Sequence, residues 1–469
     1  MEDQVKREII EQNLHNVLSN LVLPDLGILD KGKVRDNYVK DSKRIMITSD
    51  RISAFDFVLR QAIPFKGQVL NQIAAYWFDK TKDIIKSHLL EVPDPNVVVV
   101  KEVNPIQVEM VVRGYITGSA WRDYADGKRE KSGVRLSDGM RKNQKFDKLI
   151  ITPTTKSKEG HDMDISKEEI IGQYLVPKDV YEKMEEASLK LFEKGQQLCE
   201  QQGLILVDTK YEFGVDSNNE LVLIDEIHTP DSSRFWYKNT YEELFVQGTD
   251  QKELSKEFIR KWLIDHNFSG QSGQVMPDLT QEVIIEASFR YIELYEKITG
   301  QEFKFYEEPV ISRVINNLYG CAYLDRTDMV IIIAGSEKDS EHIHKLTIHL
   351  ALNKISYLCT VFSAHKNTSD LLSFLKILEN SKINIIFITC AGRSNALSGV
   401  VTCNSKFPVV ACPVFSDLTS YSVDIHSTLR MPSKVPFATI LEPENAILFV
   451  KRIFDLKFEK CIGEKCRIG

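Results

Sequence analysis

The chain has 469 residues, room for two or three domains, and 60 Lys plus Arg against 67 Asp plus Glu leave a formal net charge of −7. A mildly acidic protein has no global attraction for phosphate backbones, which excludes a general nucleic-acid binder. A hydrophobic content of 43% separates it from disordered chains, and no apolar run approaches the 18 residues of a membrane span.

The start, Met1-Glu2-Asp3-Gln4, has no basic stretch followed by an apolar run, so a soluble, cytoplasmic protein without a secretory leader is expected. Of eight cysteines only Cys199 precedes residue 300, and none forms a C-x-x-C pair. Cys359, Cys390 and Cys412 sit in apolar runs, so reduced, buried thiols are expected rather than disulfides or zinc ligands.

Arg44–Ser49 and Val97–Val100 read as strands, and Val180–Gln201 as a charged amphipathic helix. Leu204–Asp216 and Leu221–His228 read as a β-hairpin, followed by closing helices at Phe258–His266 and Gln281–Thr299. Gln301–Thr327 reads as a linker plus one helix. Beyond it strands and helices alternate: Met329–Ala334, a helix from Asp339, Tyr357–Phe362, a helix from Thr368, Ile383–Cys390, a helix from Ser394, and Val409–Cys412. Apolar strands with intervening helices predict a parallel, doubly wound sheet. Its four strand-to-helix loops, at 335–339, 363–366, 391–395 and 413–417, are expected to converge at the carboxyl ends of the strands, where such sheets bind ligands.

The hairpin gives the strongest local expectation. With a four-residue loop at 217–220, Glu212 faces Asp225, and Asp208, Lys210 and Glu212 share one face. Opposed carboxylates destabilise a sheet unless something lies between them, and Mg²⁺ with nucleotide phosphates suits one or two carboxylates. A one-residue bulge would dissolve the pair. Lys31-Gly32-Lys33-Val34-Arg35-Asp36 is either a solvated basic turn or a phosphate-holding loop. Arg113 to Ser119 and Thr229 to Arg234 combine arginine with hydroxyls and turn residues, which suits an anion as well as an ordinary turn. His342, His344 and His349 fall on a predicted helix and read as solvent-facing. His365, after a strand and beside Lys366, is either a proton carrier or a surface histidine. No G-x-G-x-x-G supports a dinucleotide site.

Six segments in order resemble the SAICAR synthetase family: GKVRD, SDRISAFD, VRGYITGSAW, TPTTKSKEGHD, DTKYEFG and LIDEIHTPDSSRFW. The resemblance spans about residues 20–305 and implies an ATP-grasp-like fold. It also implies ATP-driven coupling of L-aspartate to the carboxylate of carboxyaminoimidazole ribotide through an acyl phosphate. By that resemblance Gly32, Lys33 and Arg35 hold ATP, and Glu212 and Asp225 hold Mg²⁺. Arg113, Ser119, Asp231 and Arg234 hold the ribotide, with Lys210 at its carboxylate in a catalytic place. His161 and Asp162 fit the family pattern without an assigned role.

Residues 329–450 resemble the aminoimidazole ribotide (AIR) carboxylase family through GSEKD, SAHK, AGRSN, CP and LRMPS. SAHK with AGRSN resembles the branch that takes CO₂ directly, without ATP or biotin. The resemblance implies that Ser336, Asp339, Ser363, Lys366 and Arg393 hold the ribotide. Gly392 and Ser394 line the CO₂ pocket, and His365, with Ser363 beside it, moves the proton. Lys338 and Asn445 depart from the usual pattern. The expected architecture is thus α/β and α+β: a SAICAR-synthetase-like domain (1–306), a linker (307–328), and a three-layer αβα carboxylase domain (329–469) that forms a homo-octamer. An oligomerisation module in place of the carboxylase, and an ATP-binding kinase or sensor, are the alternatives.

Overall fold

Tyr181, Met184, Ser188, Leu191, Phe192, Gly195 and Cys199 recur at three- and four-residue spacing, and all are buried. That stripe is why Lys178–Gln201 folds as one long helix laid on a sheet. The structure, a computed structural model, describes residues 1–156 and 163–465, without side chains from 457 onward. His161, Asp162, Cys466 and the Cys461 side chain therefore lie outside the described part.

The chain divides into two compact units. The first comprises Met1–Glu11, Lys33–Arg35 and Asp41–Lys304. Its main sheet runs Lys145–Ile151, Asn104–Tyr115, Leu204–Val215, Leu221–Ile224, all antiparallel. Thr154–Thr155 adds to Asn104–Tyr115, and Ser233–Tyr237 adds to Leu204–Val215. In a second sheet Val97–Lys101 lies between Lys43–Thr48 and Leu89–Asp94. The helix Lys66–Lys80 packs on Gln281–Thr299.

The hairpin register differs from the expectation by one residue. Val215 pairs with Leu221 and Glu212 with Ile224, so the loop holds five residues, 216–220. The cause is Asp216, whose carboxylate accepts the amides of Asn218 (2.9 Å) and Glu220 (3.0 Å) and closes a wider turn. The second strand ends at Ile224 rather than His228, and Asp225 follows in a left-handed conformation at φ 66°.

The second unit comprises Gln12–Gly32, Asp36–Lys40 and Phe305–Gly469. Asp328–Ala334 is buried along its whole length and carries no alternation, as a central strand covered on both faces requires. It pairs in parallel with Ser356–Val361 and Asn384–Cys390, and the sheet continues in parallel through Val409–Ala411 to Ala438–Thr439. At the other edge Leu21–Val22 pairs antiparallel with Ser356–Val361. Nothing in the sequence marks two residues as a strand, and this one went unforeseen. Leu29–Lys31 and Asp36–Tyr38 form a small hairpin with Gly32 at its turn. The helix expected within 301–327 is Val310–Gly320.

Two groups of residues differ from expectation. Cys321 and Cys403 are exposed, while Cys199, Cys390 and Cys412 are buried and Cys359 is half-buried. His342 is turned inward, its Nε2 3.3 Å from Cys412 Sγ, because its helix packs that face on the strand ends.

Candidate functional site

In the first unit, the long strand Leu204–Val215 places Asp208, Lys210 and Glu212 on one face at two-residue spacing. Asp208 and Lys210 each meet an oppositely charged partner from a neighbouring strand, whereas Glu212 is held by Lys210 and Lys156. Asp208 lies opposite Arg113, and its Oδ2 accepts from Arg113 Nη1 at 3.2 Å and Arg234 Nη1 at 2.6 Å. Arg113 also donates to Thr152 Oγ1 (2.9 Å) and Ser119 Oγ (3.3 Å). The Arg234 guanidinium lies against Gly118, where a Cβ would come within 2.5 Å of Nη2. Gly118 has φ +57°, so both its conformation and the arginine above it call for glycine. Two arginines on one carboxylate, with Ser119 alongside, leave positive charge for an anion.

Lys210 Nζ donates to Glu109 Oε1 and Glu212 Oε1, both at 2.9 Å, and Lys156 pairs with the other oxygen of Glu212. Glu109, opposite Glu212 in the sheet, is pushed up to about 7 by burial, with Glu212 adding to the shift. Burial acts to raise Glu212 as well, but Lys210 and Lys156 hold it well below the carboxylate range. Asp225 is pushed up to about 6 by burial, and the nearby charges of Glu212 and Glu226 act with it. Arg35 pairs with Asp225 and lies 2.9 Å from Glu226. The strand register does not oppose Glu212 and Asp225, and only the charge of Glu212 acting on Asp225 links them. Asp225 itself is left-handed, at φ 66°, and its carboxylate pairs with Arg35.

Among the described residues no group of three or more His, Cys, Asp or Glu forms a metal cage. A pair of carboxylates, with Glu226 beside them, fits Mg²⁺ that takes its remaining ligands from phosphate and water. Lys33 pairs with Asp56 nearby in the chain fold of this unit.

A second cluster was missed by sequence reasoning. Lys66 is fully buried with its Nζ 2.9 Å from Asp231 Oδ2, and Tyr291 Oη donates to Asp231 Oδ1 at 2.7 Å. Lys256 Nζ lies 3.6 Å from the same Asp231 Oδ2 and 3.2 Å from Ser53 Oγ. Burial pushes Lys256 down to about 8, with Asp231 opposing. Lone lysines in helical segments carry no sequence signal, so only the fold could find them. His228 is buried against Tyr211, with Nε2 and Oη 2.5 Å apart.

In the second unit, the expected loops leave one end of the sheet side by side. The Gly335 amide bonds the Cys390 carbonyl at 2.8 Å, Phe362 bonds Ala334 at 2.9 Å, and Val414 bonds Ala391 at 3.3 Å. A Cβ on Gly392 would lie 2.8 Å from the Val414 carbonyl, so this close approach needs glycine. Arg393 is left-handed at φ 54°, its carbonyl held by Ser427 Oγ at 3.0 Å, and Ser394 beside it is exposed. Ser336 Oγ accepts the Lys338 amide at 3.2 Å, and half-buried Asp339 is raised by burial. Ser363 Oγ accepts the His365 amide at 3.4 Å, and His365 and Lys366 are exposed. A cavity of about 410 Å³ opens nearby, lined by His342, Pro413, Ser416, Asp417, Tyr421 and Glu442 among others. Its lining includes His342 and the expected loop 413–417, but none of the residues to which the resemblance gives a role.

Comparison with known proteins bears on both units. The SAICAR synthetase family matches residues 28–275, more than half of the chain, and the AIR carboxylase family matches residues 329–465. A phosphoribosylaminoimidazole-succinocarboxamide synthase of Azobacteroides pseudotrichonymphae is 52% identical over 286 residues, 61% of this chain and 88% of the relative. The synthase of Bacteroides thetaiotaomicron is 53% identical over 274 residues, 58% of this chain and 87% of the relative. A solved SAICAR synthase from Saccharomyces cerevisiae, complexed with SAICAR, is 32% identical with a TM-score of 0.54, covering 61% of this chain and all of that one. The chain belongs to the SAICAR synthetase family, carries an AIR carboxylase domain behind it, and is a bifunctional enzyme of purine biosynthesis.

Proposed function

We propose that the charged face of Leu204–Val215 is where the first unit makes its amide bond. The observation that carries this reading is the succession Asp208, Lys210, Glu212 along one strand. It sets an arginine-rich anion cradle beside a carboxylate pair suited to Mg-ATP. The Arg113, Arg234 and Ser119 groups hold the ribotide, with Asp231 close to its reacting end. Lys33 and Arg35 neutralise nucleotide phosphates. Glu212 and Asp225 hold Mg²⁺, which when bound screens phosphate charge. Lys210, already between two carboxylates, is placed to balance the charge of a third carboxylate as it is phosphorylated. The ribotide carboxylate takes the γ-phosphoryl group of ATP and ADP leaves, after which the aspartate amine adds to the acyl carbon, gives up a proton, and phosphate leaves. Catalysis is by positioning and fixed charge.

In the second unit, Ser336, Asp339, Ser363, Lys366 and Arg393 take the ribotide, and Gly392 and Ser394 frame the space for CO₂. His365 moves the proton displaced when the new carbon–carbon bond forms. Exposure of Leu418 (84%), Val423 (68%) and Leu429 (59%) along one helix supports assembly of this unit into a homo-octamer. Light scattering at the mass of a single chain would overturn that assembly. Among the described residues no helix is long and apolar enough to cross a membrane, which fits a cytoplasmic location.

One incubation tests the whole reading. Aminoimidazole ribotide, bicarbonate, Mg-ATP and aspartate are supplied, and the succinocarboxamide is sought by mass spectrometry. Product above the enzyme-free control is expected. Product only from carboxyaminoimidazole ribotide would remove the carboxylase, and none from either would remove both.

A further inference from the structure

Helix Gly118–Ala125 carries Ser119, which Arg113 Nη2 reaches at 3.3 Å, and Asp123 one turn later on the same face. Residues 152–156 carry Thr152, whose Oγ1 accepts from Arg113 Nε at 2.9 Å, and Lys156, which pairs with Glu212. The segment 163–165 holds that strip in place. The Thr155 N–H donates to the Met163 carbonyl at 2.9 Å, the Ile165 N–H to the Pro153 carbonyl at 3.2 Å, and Thr154 pairs with Asp164.

Lys131 joins the helix to the strip. It lies in a short hairpin, Glu130–Lys131 against Val134–Arg135, turned by left-handed Ser132 and Gly133. Its side chain is 5% exposed, and Nζ donates to Asp123 Oδ2 at 2.8 Å and to Asp164 Oδ2 at 2.6 Å. The turn adds a second tie, Ser132 Oγ donating to the Pro153 carbonyl at 3.0 Å. Neither carboxylate needs this lysine as its counter-charge. Asp123 keeps Lys128 at 2.7 Å on its other oxygen, and Asp164 is 43% exposed to water. An apolar side chain of similar length would fill the same space without burying an ammonium. What the lysine alone supplies is a directed link between two segments distant in sequence. Burial lowers Arg113, with Asp208 and, less strongly, Asp164 acting against it, so Asp164 also stands within electrostatic reach of that guanidinium.

We propose that Lys131 is a positioning residue for amide formation, fixing the helix that carries Ser119 against the strip that carries Thr152 and Lys156. This rests on the reading of the first unit as the amide-forming site. One end of the link bears on the Arg113 cradle for the ribotide and the other on the Glu212 side, where Mg-ATP is held. Lys131 therefore sets the separation of two bound reactants rather than the affinity for either. Phosphoryl transfer depends steeply on that separation, so the effect belongs in the rate of the bound complex.

Steady-state kinetics on the full chain test this, with carboxyaminoimidazole ribotide, Mg-ATP and aspartate varied in turn. Lys131→Met should lower kcat about tenfold and leave all three KM values within about twofold. Lys131→Arg, which can also span two carboxylates, should recover part of the rate. Asp164→Ala cuts the same link from its other end and should give the same loss. The double variant should lose no more than either single one. Carboxylation of aminoimidazole ribotide by these variants should stay near wild type, which a general loss of folded protein would not allow. Should Lys131→Met fail to fold, Asp164→Ala reads the same kcat loss. An unchanged kcat, or losses that multiply in the double variant, overturns the role. A change confined to the ribotide KM also overturns it and leaves Lys131 as a screen between Asp164 and Arg113. Wild-type protein that forms no amide overturns the reading of the unit and this role with it, a different result from a variant that loses only rate.

Discussion

Gly118 and His228 make opposite demands on their surroundings, and each can be tested alone. At Gly118 a methyl group would meet the Arg234 guanidinium at 2.5 Å, and the backbone sits at φ +57°. Arg234 cannot swing away cheaply because Asp208 holds it at 2.6 Å. Gly118→Ala should cost about 1 kcal/mol in backbone strain and tilt the arginine out of the anion cradle. The expected reading is a rise of about tenfold in the ribotide KM with little change for Mg-ATP. His228 is fully buried, and burial lowers it to about 3 from its ordinary 6.5. The unfolded chain therefore binds a proton in that interval and the folded chain does not. Stability is complete above pH 6.5 and falls as pH drops toward 3, by about 1.4 kcal/mol per pH unit. Guanidinium melts at pH 7 and pH 5 should show His228→Gln losing about 2 kcal/mol less across that interval than wild type. Equal losses would mean that this imidazole is not a source of acid sensitivity.

At the scale of elements, the long helix Lys178–Gln201 was legible from its apolar spacing, and the parallel strands of the second unit from their unbroken apolar runs. What escaped was set by single side chains. The Asp216 carboxylate captures two amides and lengthens the hairpin loop, which shifts the register by one. Alternation counts residues and cannot see a side chain closing a turn. Asp225 falls just outside the strand pairing in a left-handed conformation, where its carboxylate pairs with Arg35. Lys66 and Lys256 were invisible for another reason: their meaning lies in sharing Asp231 across long stretches of sequence. The same helix offers a test in which local propensity and packing disagree. Gly195 lies in its interior, where alanine ordinarily gains about 1 kcal/mol. Here the added Cβ would sit 2.4 Å from His228 Cε1 and 2.8 Å from Leu206 Cδ2. Overpacking of this kind costs about 1–3 kcal/mol, so packing wins. Gly195→Ala should lower the melting temperature, and a rise would show that His228 has room to move.

For the whole molecule, consecutive chemistry in one chain does not require shared catalytic residues. The first unit gathers its charges on Leu204–Val215 and the loops beside it. The second sets its loops at the ends of a parallel sheet whose core holds Val330, Ile332, Leu350, Ile386 and Ile388. His365 is exposed at such a loop, so removing its side chain opens no cavity and leaves that core intact. His365→Ala should abolish product formation from aminoimidazole ribotide and bicarbonate while leaving the rate from carboxyaminoimidazole ribotide, Mg-ATP and aspartate near wild type. Arg234→Lys should do the reverse, because lysine cannot reproduce the guanidinium contact that Asp208 shares with Arg113. Mixing the two variants then becomes informative. If carboxyaminoimidazole ribotide is released to solution, the mixture recovers succinocarboxamide synthesis at a rate that rises with total protein. If each chain, or each assembly of chains, keeps its own intermediate, the mixture stays near the level of the weaker variant. Comparing variants mixed as folded protein with variants refolded together separates transfer within an assembly from transfer through solution.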